Sequence, residues 1–471
     1  MTVATKIPTM NAWTPEQLVL PSEPALEVAP SRDPRRFPFG VVDQVIDDLD
    51  SPAEPWSVHL EARTAGTLDE GRLQAAIATT LDRHPFARVH RLPPRGRNRR
   101  SYWEIAPRAE VDPFDVVLAR DDAGLTAARS ELQSRPVPLD VSPPLQVRLA
   151  HHPAGDVVML HLHHAAGDGF SAVRLLRSIA EGYAGGMGRA RTVVTMAAYD
   201  RRALAPAPAD WRPPHPPSEV LRTELRQWAA RSTHLAADGG APRPGYGFHH
   251  VALTADQTGA LVLGRPPEVT VNDVLLAALH LAIEAWNRDH GVTTARVAVL
   301  MPVSFRPPEW GDDMIGNYSF PVPVATSPAD RNTPLAALRA VAARTRWVKE
   351  ARAATAALAP LARFQHLPVG RRPLVRALAR GSLVPTAILS NLGRLEAPLD
   401  FGSKAGPANE VWFSPPARMP LGLAVGAVTA GERLHLSFRY RHPILGSAAA
   451  AGFADRYLEA LSLLTSAAVA S

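Results

Sequence analysis

The segment from residue 156 to residue 183 constrains the fold of this chain most, because it joins a strand pattern to a helix pattern through a very short connection. Residues 156–164 form an apolar run that ends in histidines and is short enough for one buried strand. Apolar side chains then recur at helical spacing and predict an amphipathic helix over Phe170–Tyr183, through Val173, Leu176, Ile179, Ala180 and Tyr183. Between the two patterns stands His163-His164-Ala165-Ala166-Gly167-Asp168-Gly169. The glycines predict a tight strand-to-helix turn.

The histidine at the end of this strand is a candidate general base. Strand alternation places His164 on the face of Leu160 and Leu162, and turns His161 and His163 to the other side. A neutral imidazole held in one orientation takes a proton from a hydroxyl or amine as that group attacks a carbonyl. We therefore expect His164 to act as a base, with a structural role for its neighbour His163 through a backbone hydrogen bond.

Two further groups of the turn fit the same chemistry. Asp168 is close enough to brace the turn, either through the imidazole or through an arginine. The backbone N–H groups at the start of the following helix, near Gly169, can donate to a developing oxyanion. The chain contains no cysteine and no Gly-x-Ser-x-Gly, so that a covalent acyl-enzyme has no obvious carrier.

A metal site is the alternative interpretation of these histidines. His161 and His163 on one strand face can act as a ligand pair, as in some zinc enzymes. No third ligand with suitable spacing follows nearby, and the neighbouring His151-His152 lie across a Pro-Ala-Gly-Asp turn. We therefore expect no metal.

The motif resembles the His-His-x-x-x-Asp-Gly signature of the chloramphenicol-acetyltransferase-like superfamily of thioester-dependent acyltransferases. This superfamily includes peptide-synthetase condensation domains, wax ester synthases and polyketide-associated acyltransferases. Other segments follow in the family's order over roughly residues 38–465: Thr270 to Ala278, Met301 to Arg306, Gly316-Asn317, Ser390-Asn391-Leu392-Gly393 and Asp400-Phe401-Gly402. The last of these lacks the glycine that closes the motif of the plant members, and Ser390 to Gly393 can also be a simple turn.

The resemblance implies an α/β fold of two chloramphenicol-acetyltransferase-like domains, each a mixed sheet with flanking helices, arranged as a V with the active site at their junction. It implies Arg306 as the partner of Asp168. Five residues become candidates for lining the substrate channel: His163, Ser304, Asn317, Ser390 and Asn391. No cofactor is expected to be permanently bound, because coenzyme A or a phosphopantetheine thioester enters as a co-substrate.

The expected activity is transfer of an acyl group from an acyl-CoA or an acyl or peptidyl carrier protein to a small alcohol or amine. Because no carrier-protein or adenylation segment accompanies the chain, we expect a tailoring enzyme of natural-product or lipid biosynthesis. Two rivals stay open. One is a condensation-like module that binds a carrier protein without chemistry, and the other is a catalyst of cyclisation or elimination on a thioester-bound chain.

Composition limits the other classes of function. At 471 residues the chain fits two domains, and 46% apolar with 20% charged residues is typical of a globular protein. No apolar stretch is long enough to span a bilayer and the N-terminus lacks a signal core, so we expect a cytoplasmic enzyme without integral membrane association. The absence of cysteine excludes disulfides and thiolate metal sites.

Arginines cluster although the net charge is only +6. One group is the loop from Arg95 to Arg100, and the other lies along a predicted helix with Arg371, Arg372, Arg376 and Arg380. These groups are either solvated surface or attract an anionic partner, such as the phosphates of coenzyme A or an acidic carrier protein. We expect no nucleic acid partner, since the arginines are not interleaved with stacking aromatics.

The coarse organisation follows from proline content and periodicity. Residues 1–37 carry six prolines and are expected to be an extended arm, 38–202 a first domain with the motif, 203–217 a stiff proline-rich linker and 218–471 a second domain. Helices are predicted from about Asp69, at Val220–Leu235, after Thr270 and at Ala448–Leu464. Strands are predicted at Val41–Leu49, Trp56–Arg63, Pro144–Ala150, His249–Leu253, Val297–Val303, Phe320–Val324, Leu383–Leu389, Leu421–Val428 and Leu434–Tyr440.

Overall fold

The computed structural model describes residues 35–93, 101–186, 212–240, 244–306, 314–364 and 385–469. Its strands are β1 (Arg36–Pro38), β2 (Ser57–Arg63), β3 (Val89–Leu92), β4 (Tyr102–Ile105), β5 (Phe114–Leu118), β6 (Leu145–His151), β7 (Val157–His163), β8 (Tyr246–Ala252), β9 (Val297–Ser304), β10 (Ser319–Thr326), β11 (Ala387–Arg394), β12 (Glu410–Ser414), β13 (Leu423–Ala430) and β14 (Arg433–Arg441). Its helices are α1 (Val41–Leu49), α2 (Glu70–Arg83), α3 (Asp122–Ser134), α4 (Gly169–Ala184), α5 (Pro217–Ala229), α6 (Ala255–Leu263), α7 (Val271–Asp289), α8 (Pro334–Glu350), α9 (Ala353–Phe364) and α10 (Ser447–Val469). The α/β class is as expected.

The first large sheet carries the histidine strand at its centre, in the order β12-β2-β7-β6-β5. The predicted hairpin of β6 and β7 is confirmed as an antiparallel pair, and the parallel pairing of β5 with β6 makes the sheet mixed. One face of β7 presents Val158, Leu160 and Leu162 to the core that it shares with α2 and α4. The opposite face carries His161 beside His59 of β2, so that the predicted alternation is confirmed.

A strand from the distant C-terminal part of the chain completes this sheet. β12 pairs antiparallel with β2, with Glu410 opposite Arg63 and Ser414 opposite His59. Val411 and Phe413 turn into the first core, whereas Trp412 faces the other way and stacks on His250 of β8 at 4.4 Å between ring centroids. The C-terminal half therefore contributes structure directly to the sheet that bears the motif.

The second large sheet has the order β10-β9-β11-β13-β14-β8 and is also mixed, because β11 lies parallel to both β9 and β13. Helix α7 packs on it with the predicted apolar stripe, which includes Leu275, Leu279 and Ile283. The Thr270 hydroxyl accepts a hydrogen bond from the Asp273 N–H at 3.2 Å, so the predicted N-cap is confirmed. A smaller sheet, β1-β4-β3, flanks the first.

The prediction of a strand at Val41–Leu49 was wrong, because these residues form helix α1. Its β-branched residues favoured a strand, yet Val42, Val45, Ile46 and Leu49 recur at the i, i+3, i+4, i+7 spacing of a helix. The Asp43 carboxylate accepts from the Gly40 N–H at 3.0 Å and closes the first turn. Helical periodicity was thus present in the sequence and outweighs β propensity here.

Other elements differ in their bounds. The helix predicted at Val220–Leu235 begins at Pro217 and ends at Ala229. The segment Ser390 to Gly393 is not a separate turn, because it lies within β11, where the pairing register shifts between Asn391 and Arg394 and Gly393 has φ 73°. Asp400 to Gly402 does form a turn, closed by the Asp400 carboxylate on the Gly402 N–H at 2.9 Å.

Several sequence predictions concern residues outside the described ranges: most of the N-terminal arm, residues 203–211 of the linker, and both arginine clusters. Among the residues that the structure describes, no helix combines the length and the apolar character that crossing a membrane requires.

Candidate active site at the start of helix α4

The strand-to-helix turn is held by backbone hydrogen bonds around one carbonyl. Ala166 N and Gly167 N both donate to His163 O, at 2.9 and 3.2 Å. A Cβ on Gly167 would lie 2.5 Å from Leu162 Cδ2, too close for any side chain unless the leucine moves. Glycine at this position therefore lets the chain fold back tightly enough to begin α4 two residues later.

His164 has the orientation that a base requires. Its Nδ1 lies 3.1 Å from Gly167 O, and because a carbonyl oxygen only accepts, Nδ1 carries the proton and Nε2 keeps a lone pair. The side chain is half-buried, and of its two ring nitrogens Nδ1 is the one that forms a hydrogen bond to the described part of the chain. Burial lowers the pKa of His164 below its usual value, although the Gly167 carbonyl and Asp168 act in the opposite direction. The imidazole is therefore neutral at pH 7.

Asp168 is the N-cap of α4 and is almost fully buried. Its Oδ1 accepts from the Ser171 N–H at 2.9 Å, and its Oδ2 accepts from the Tyr318 N–H at 3.1 Å. Arg306 Nη2 lies 2.8 Å from Oδ1 and forms an ion pair with side chains only 7% and 4% exposed. Burial alone would raise the pKa of this carboxyl, but the guanidinium and the N–H donors outweigh it and hold the pKa below its usual value.

Arg306 connects the motif to the segment around Gly316. The guanidinium also donates to Met314 O, lies 3.4 Å from Gly316 O, and covers the Tyr318 ring at 5.0 Å from the centroid. The Asp168 N–H in turn donates to Gly316 O at 3.3 Å. Asp168 thus braces the turn through an arginine rather than through the imidazole, with the partner that the family resemblance implied.

The first residue of α4 is enclosed by the C-terminal half. A Cβ on Gly169 would lie 2.6 Å from Leu392 Cδ2 and 3.0 Å from Phe413 Cε2, so β11 and β12 both reach the motif. The Gly169 N–H makes no hydrogen bond to any residue in the described ranges. Among these residues it is therefore an available donor at a helix N-terminus, where the partial charge favours an anion.

The predicted channel residues take different positions. His163 is buried, and its Nδ1 accepts from the Ala165 N–H at 3.1 Å while its Nε2 faces Asp50 Oδ2 at 3.6 Å. Asn317 stands between two residues that bond to Asp168, and its Oδ1 accepts from Ser319 N at 3.1 Å. Ser304 accepts from Arg306 N at 3.2 Å. That these residues line a channel stays a prediction.

The remaining two channel candidates lie in β11, close to the residue that packs on Gly169. Ser390 and Asn391 are half-buried. The Asn391 side chain accepts from the Gly393 N–H at 2.8 Å, which stabilises the irregular end of the strand. Since Leu392 contacts α4, this end of β11 lies beside the motif, and the role of the two polar side chains stays a prediction.

The structure also brings in a residue that the sequence did not single out. The Ser171 hydroxyl accepts from Gly316 N at 3.0 Å and lies 2.8 Å from Gly316 O and 2.9 Å from Asp168 Oδ1. The available signal was its position three residues after an Asp N-cap, where a side chain and a backbone N–H meet the capping carboxylate. In the described part of the chain, no three His, Asp or Glu side chains are grouped so that they can hold a metal ion.

Comparison with known sequences gives a relative of nearly full length and a shorter match. The uncharacterized protein Rv2305 of Mycobacterium tuberculosis (strain ATCC 25618 / H37Rv) is 33% identical over 428 residues, which are 88% of this chain and 96% of the relative. The probable nonribosomal peptide synthetase CymA of Salinispora arenicola (strain CNS-205) is 30% identical over 168 residues, 35% of this chain and 2% of that protein. No protein-family model matches the chain.

Comparison with solved structures identifies the fold. The epimerization domain from the third module of tyrocidine synthetase B, TycB3(E), matches with a TM-score of 0.62 at 18% identity, over 93% of this chain and 98% of that domain. The first condensation domain of the CDA synthetase matches with a TM-score of 0.62 at 18% identity, over 90% of this chain and 93% of that chain. Both likenesses extend over the two large sheets together.

Proposed function

Since the chain belongs to one family with the mycobacterial protein Rv2305 and has the condensation-domain fold of the chloramphenicol-acetyltransferase-like superfamily, we propose that it is an acyltransferase. It moves an acyl group from an acyl-CoA or a carrier-protein thioester to a hydroxyl or amine acceptor, and gives an ester or an amide. The coarse class rests on the fold, and the finer assignments rest on the chemistry of the turn.

The observation that carries the proposal is the state of His164. Its Nδ1–H donates to Gly167 O, and its Nε2, in a half-buried side chain, keeps a lone pair that no residue in the described ranges engages. A group whose pKa lies below 7 is ready to accept a proton at neutral pH, which is what a general base requires. A purely structural histidine would have both nitrogens bonded or enclosed.

The reaction balances with groups that the turn supplies. The acceptor O–H or N–H gives its proton to His164 Nε2 as its oxygen or nitrogen attacks the thioester carbonyl. The oxyanion of the tetrahedral intermediate then accepts a hydrogen bond from the Gly169 N–H at the start of α4. When the C–S bond breaks, the imidazolium returns the proton to the leaving sulfur, and the thiol departs.

Asp168 and Arg306 hold this geometry and do not take part in proton transfer. The carboxylate accepts from Ser171, Tyr318 and Arg306, and within the described residues no hydrogen bond joins it to the His164 imidazole. Positioning is itself worth a large part of a barrier, because a displacement of about 1 Å can cost about 100-fold in rate.

The donor is proposed to carry a phosphopantetheine arm. The two solved structures compared above are domains of peptide synthetases, and CymA is a probable peptide synthetase, which supports a carrier-bound thioester as the donor. Coenzyme A carries the same arm, so both donors enter the test. The setting that fits this chemistry is natural-product or lipid biosynthesis.

The reaction class is tested by incubating the purified chain with a panel of acyl-CoA and acyl-carrier-protein thioesters together with alcohols and amines. Free thiol and product mass are followed for the wild type, for His164→Ala and for His290→Ala. His290 is the matched control, since it is an exposed imidazole at the end of α7. Thiol release that needs both acceptor and His164 supports acyl transfer.

Other outcomes identify the rival functions. Carrier binding without turnover indicates a binding module, and would overturn the proposal if it persists across the panel. A product that keeps the acyl mass but has lost water, or has closed a ring without an external acceptor, indicates elimination or cyclisation instead.

A further inference from the structure

We propose that Asp50 and His163 are positioning residues that fix the His164 imidazole for proton transfer. The inference rests on the proposed function, and it adds to the first histidine of the motif a supporting carboxylate, Asp50, that lies outside the motif. Asp50 comes directly after α1 in the chain, more than 100 residues before the motif. Its carboxylate is connected to His164 indirectly in two ways, through the backbone of Trp56 and through the side chain of His163.

The first connection runs through the backbone of Trp56. Asp50 Oδ1 accepts from the Trp56 N–H at 2.8 Å. Trp56 O in turn accepts from the His164 N–H at 2.9 Å, just before β2 begins. The carboxylate therefore fixes the residue to which the backbone of the base is bound.

The second connection runs through the neighbouring imidazole. His163 Nδ1 accepts from the Ala165 N–H at 3.1 Å, so the proton of the neutral ring resides on Nε2. This N–H faces Asp50 Oδ2 at 3.6 Å in a side chain that is only 2% exposed. Within the described residues it has no other polar partner, so the carboxylate is what favours its burial.

The anchor itself is rigid. The Asp50 N–H donates to Ile46 O at 2.7 Å and closes the last turn of α1. Ile46 and Leu49 are buried, so the end of the helix cannot move without disturbing the core. The packed end of α1 therefore holds Asp50 in place, and Asp50 in turn holds the strand-to-helix turn in place.

Loss of this network changes the acceptor that orients the base. Both Ala166 N and Gly167 N bond to His163 O, so a shift of His163 displaces the Gly167 carbonyl to which His164 Nδ1 donates. The His164 imidazole then rotates more freely and is more exposed to water, and its preference for the tautomer with the proton on Nδ1 weakens. The charged groups that act on His164 are Asp168, Asp43 and His163, and Asp50 acts on His164 only through His163 and Trp56.

The experiment compares variants that cut the two connections separately. Asp50→Asn keeps an oxygen for Trp56 N but can present an N–H to the His163 N–H, whereas Asp50→Ala removes both contacts. His163→Asn retains an acceptor for the Ala165 N–H in the manner of an Asx turn, and His163→Ala does not. Asp47→Asn is the matched control, because Asp47 is a carboxylate of the same helix that pairs with Arg91 instead.

Two readouts separate positioning from simple loss of stability. One is kcat and KM for thiol release at a temperature where every variant is folded. The other is the rate at which diethyl pyrocarbonate modifies His164 at each pH, followed by peptide mass in the resting protein. This reagent attacks the neutral, accessible imidazole nitrogen and needs no substrate.

We expect Asp50→Ala and His163→Ala to lower kcat about 10-fold or more with little change in KM. The midpoint of the modification profile should also move up towards the ordinary histidine value of about 6.5. Asp47→Asn should stay close to the wild type, and His163→Asn, which keeps the acceptor for Ala165 N–H but lacks the N–H that faces Asp50, should fall between the wild type and His163→Ala. An Asp50→Ala variant with the kcat and the modification profile of Asp47→Asn overturns the proposal.

The two proposals fail in different ways. If the wild type shows no thiol release that depends on His164, the proposed function fails, while the modification profile still tests whether Asp50 positions the imidazole. If thiol release depends on His164 but not on Asp50, only the positioning role is wrong.

Discussion

Breaking the buried Asp168–Arg306 ion pair should destabilise the protein far more than breaking a pair on the surface. Arg306→Met removes a 2.8 Å charge-assisted hydrogen bond between side chains that are 7% and 4% exposed. A bond of this kind contributes about 1.5–3 kcal/mol, and breaking a buried pair costs about 3–5 kcal/mol because a charge is left behind. Three donors to Asp168 remain, from Ser171 N, Ser171 Oγ and Tyr318 N, so we expect a loss of about 3 kcal/mol.

The assay is urea unfolding at pH 7, followed by far-UV circular dichroism and tryptophan fluorescence. The matched control is Arg36→Met, which breaks the Arg36–Glu104 pair at 2.7 Å with an arginine that is 43% exposed. A pair of this kind contributes about 1 kcal/mol or less. The double variant Arg306→Met with Asp168→Asn should recover part of the loss, because it removes the unpaired charge.

The reasoning is refuted if Arg306→Met costs no more than Arg36→Met. It is also refuted if the double variant is less stable than Arg306→Met by the full cost of Asp168→Asn, since the two effects would then be independent.

Further predictions concern pH and close packing. Burial lowers the pKa of His84 and of His280 to about 3, and that of His435 to about 4. These histidines stay neutral in the folded protein but take up protons in the unfolded chain below about pH 6.5. The free energy of unfolding is therefore unaffected by them above that pH and decreases as the pH falls towards 4. The urea midpoint should fall over this range, and a flat profile between pH 7 and 4.5 contradicts the assignment. A Cβ on Gly426 of β13 would collide with the Phe413 carbonyl of β12, so Gly426→Ala should cost about 1–3 kcal/mol. Gly452→Ala in α10, where a Cβ meets open space, should be neutral or stabilising by thermal unfolding, and equal midpoints for the two variants would be evidence against the close approach.

Local patterns predicted strand β7 and the hairpin next to the motif, and also a helix of the second large sheet. The strand β7, the Thr270-capped helix α7 and the hairpin of β6 with β7 each follow from signals within about 20 residues. The prediction for helix α1 was wrong because its β-branched residues favour a strand. The spacing of Val42, Val45, Ile46 and Leu49 is that of a helix. Spacing decides in such a short segment, since it determines which side chains reach the core.

Pairing between strands that are distant in the chain could not be predicted from the sequence. Nothing in Glu410 to Ser414 shows that it pairs with β2, almost 350 residues earlier in the chain. The backbone contacts of Gly316 and Tyr318 with Asp168 were equally hidden, because a peptide N–H or carbonyl carries no side-chain signature. Arg306 came from resemblance to a family and not from spacing, and the structure places it 2.8 Å from Asp168.

The most direct test of His164 as the general base is kcat/KM for acceptor-dependent thiol release as a function of pH, for the wild type and for His164→Ala. Because burial lowers the pKa of His164, we expect activity to be retained down to pH values below about 6.5 and to fall on the acid side. We expect His164→Ala to lose about 100-fold or more at pH 7. A variant that turns over like the wild type, with the same pH profile, would contradict the assignment of His164 as the base.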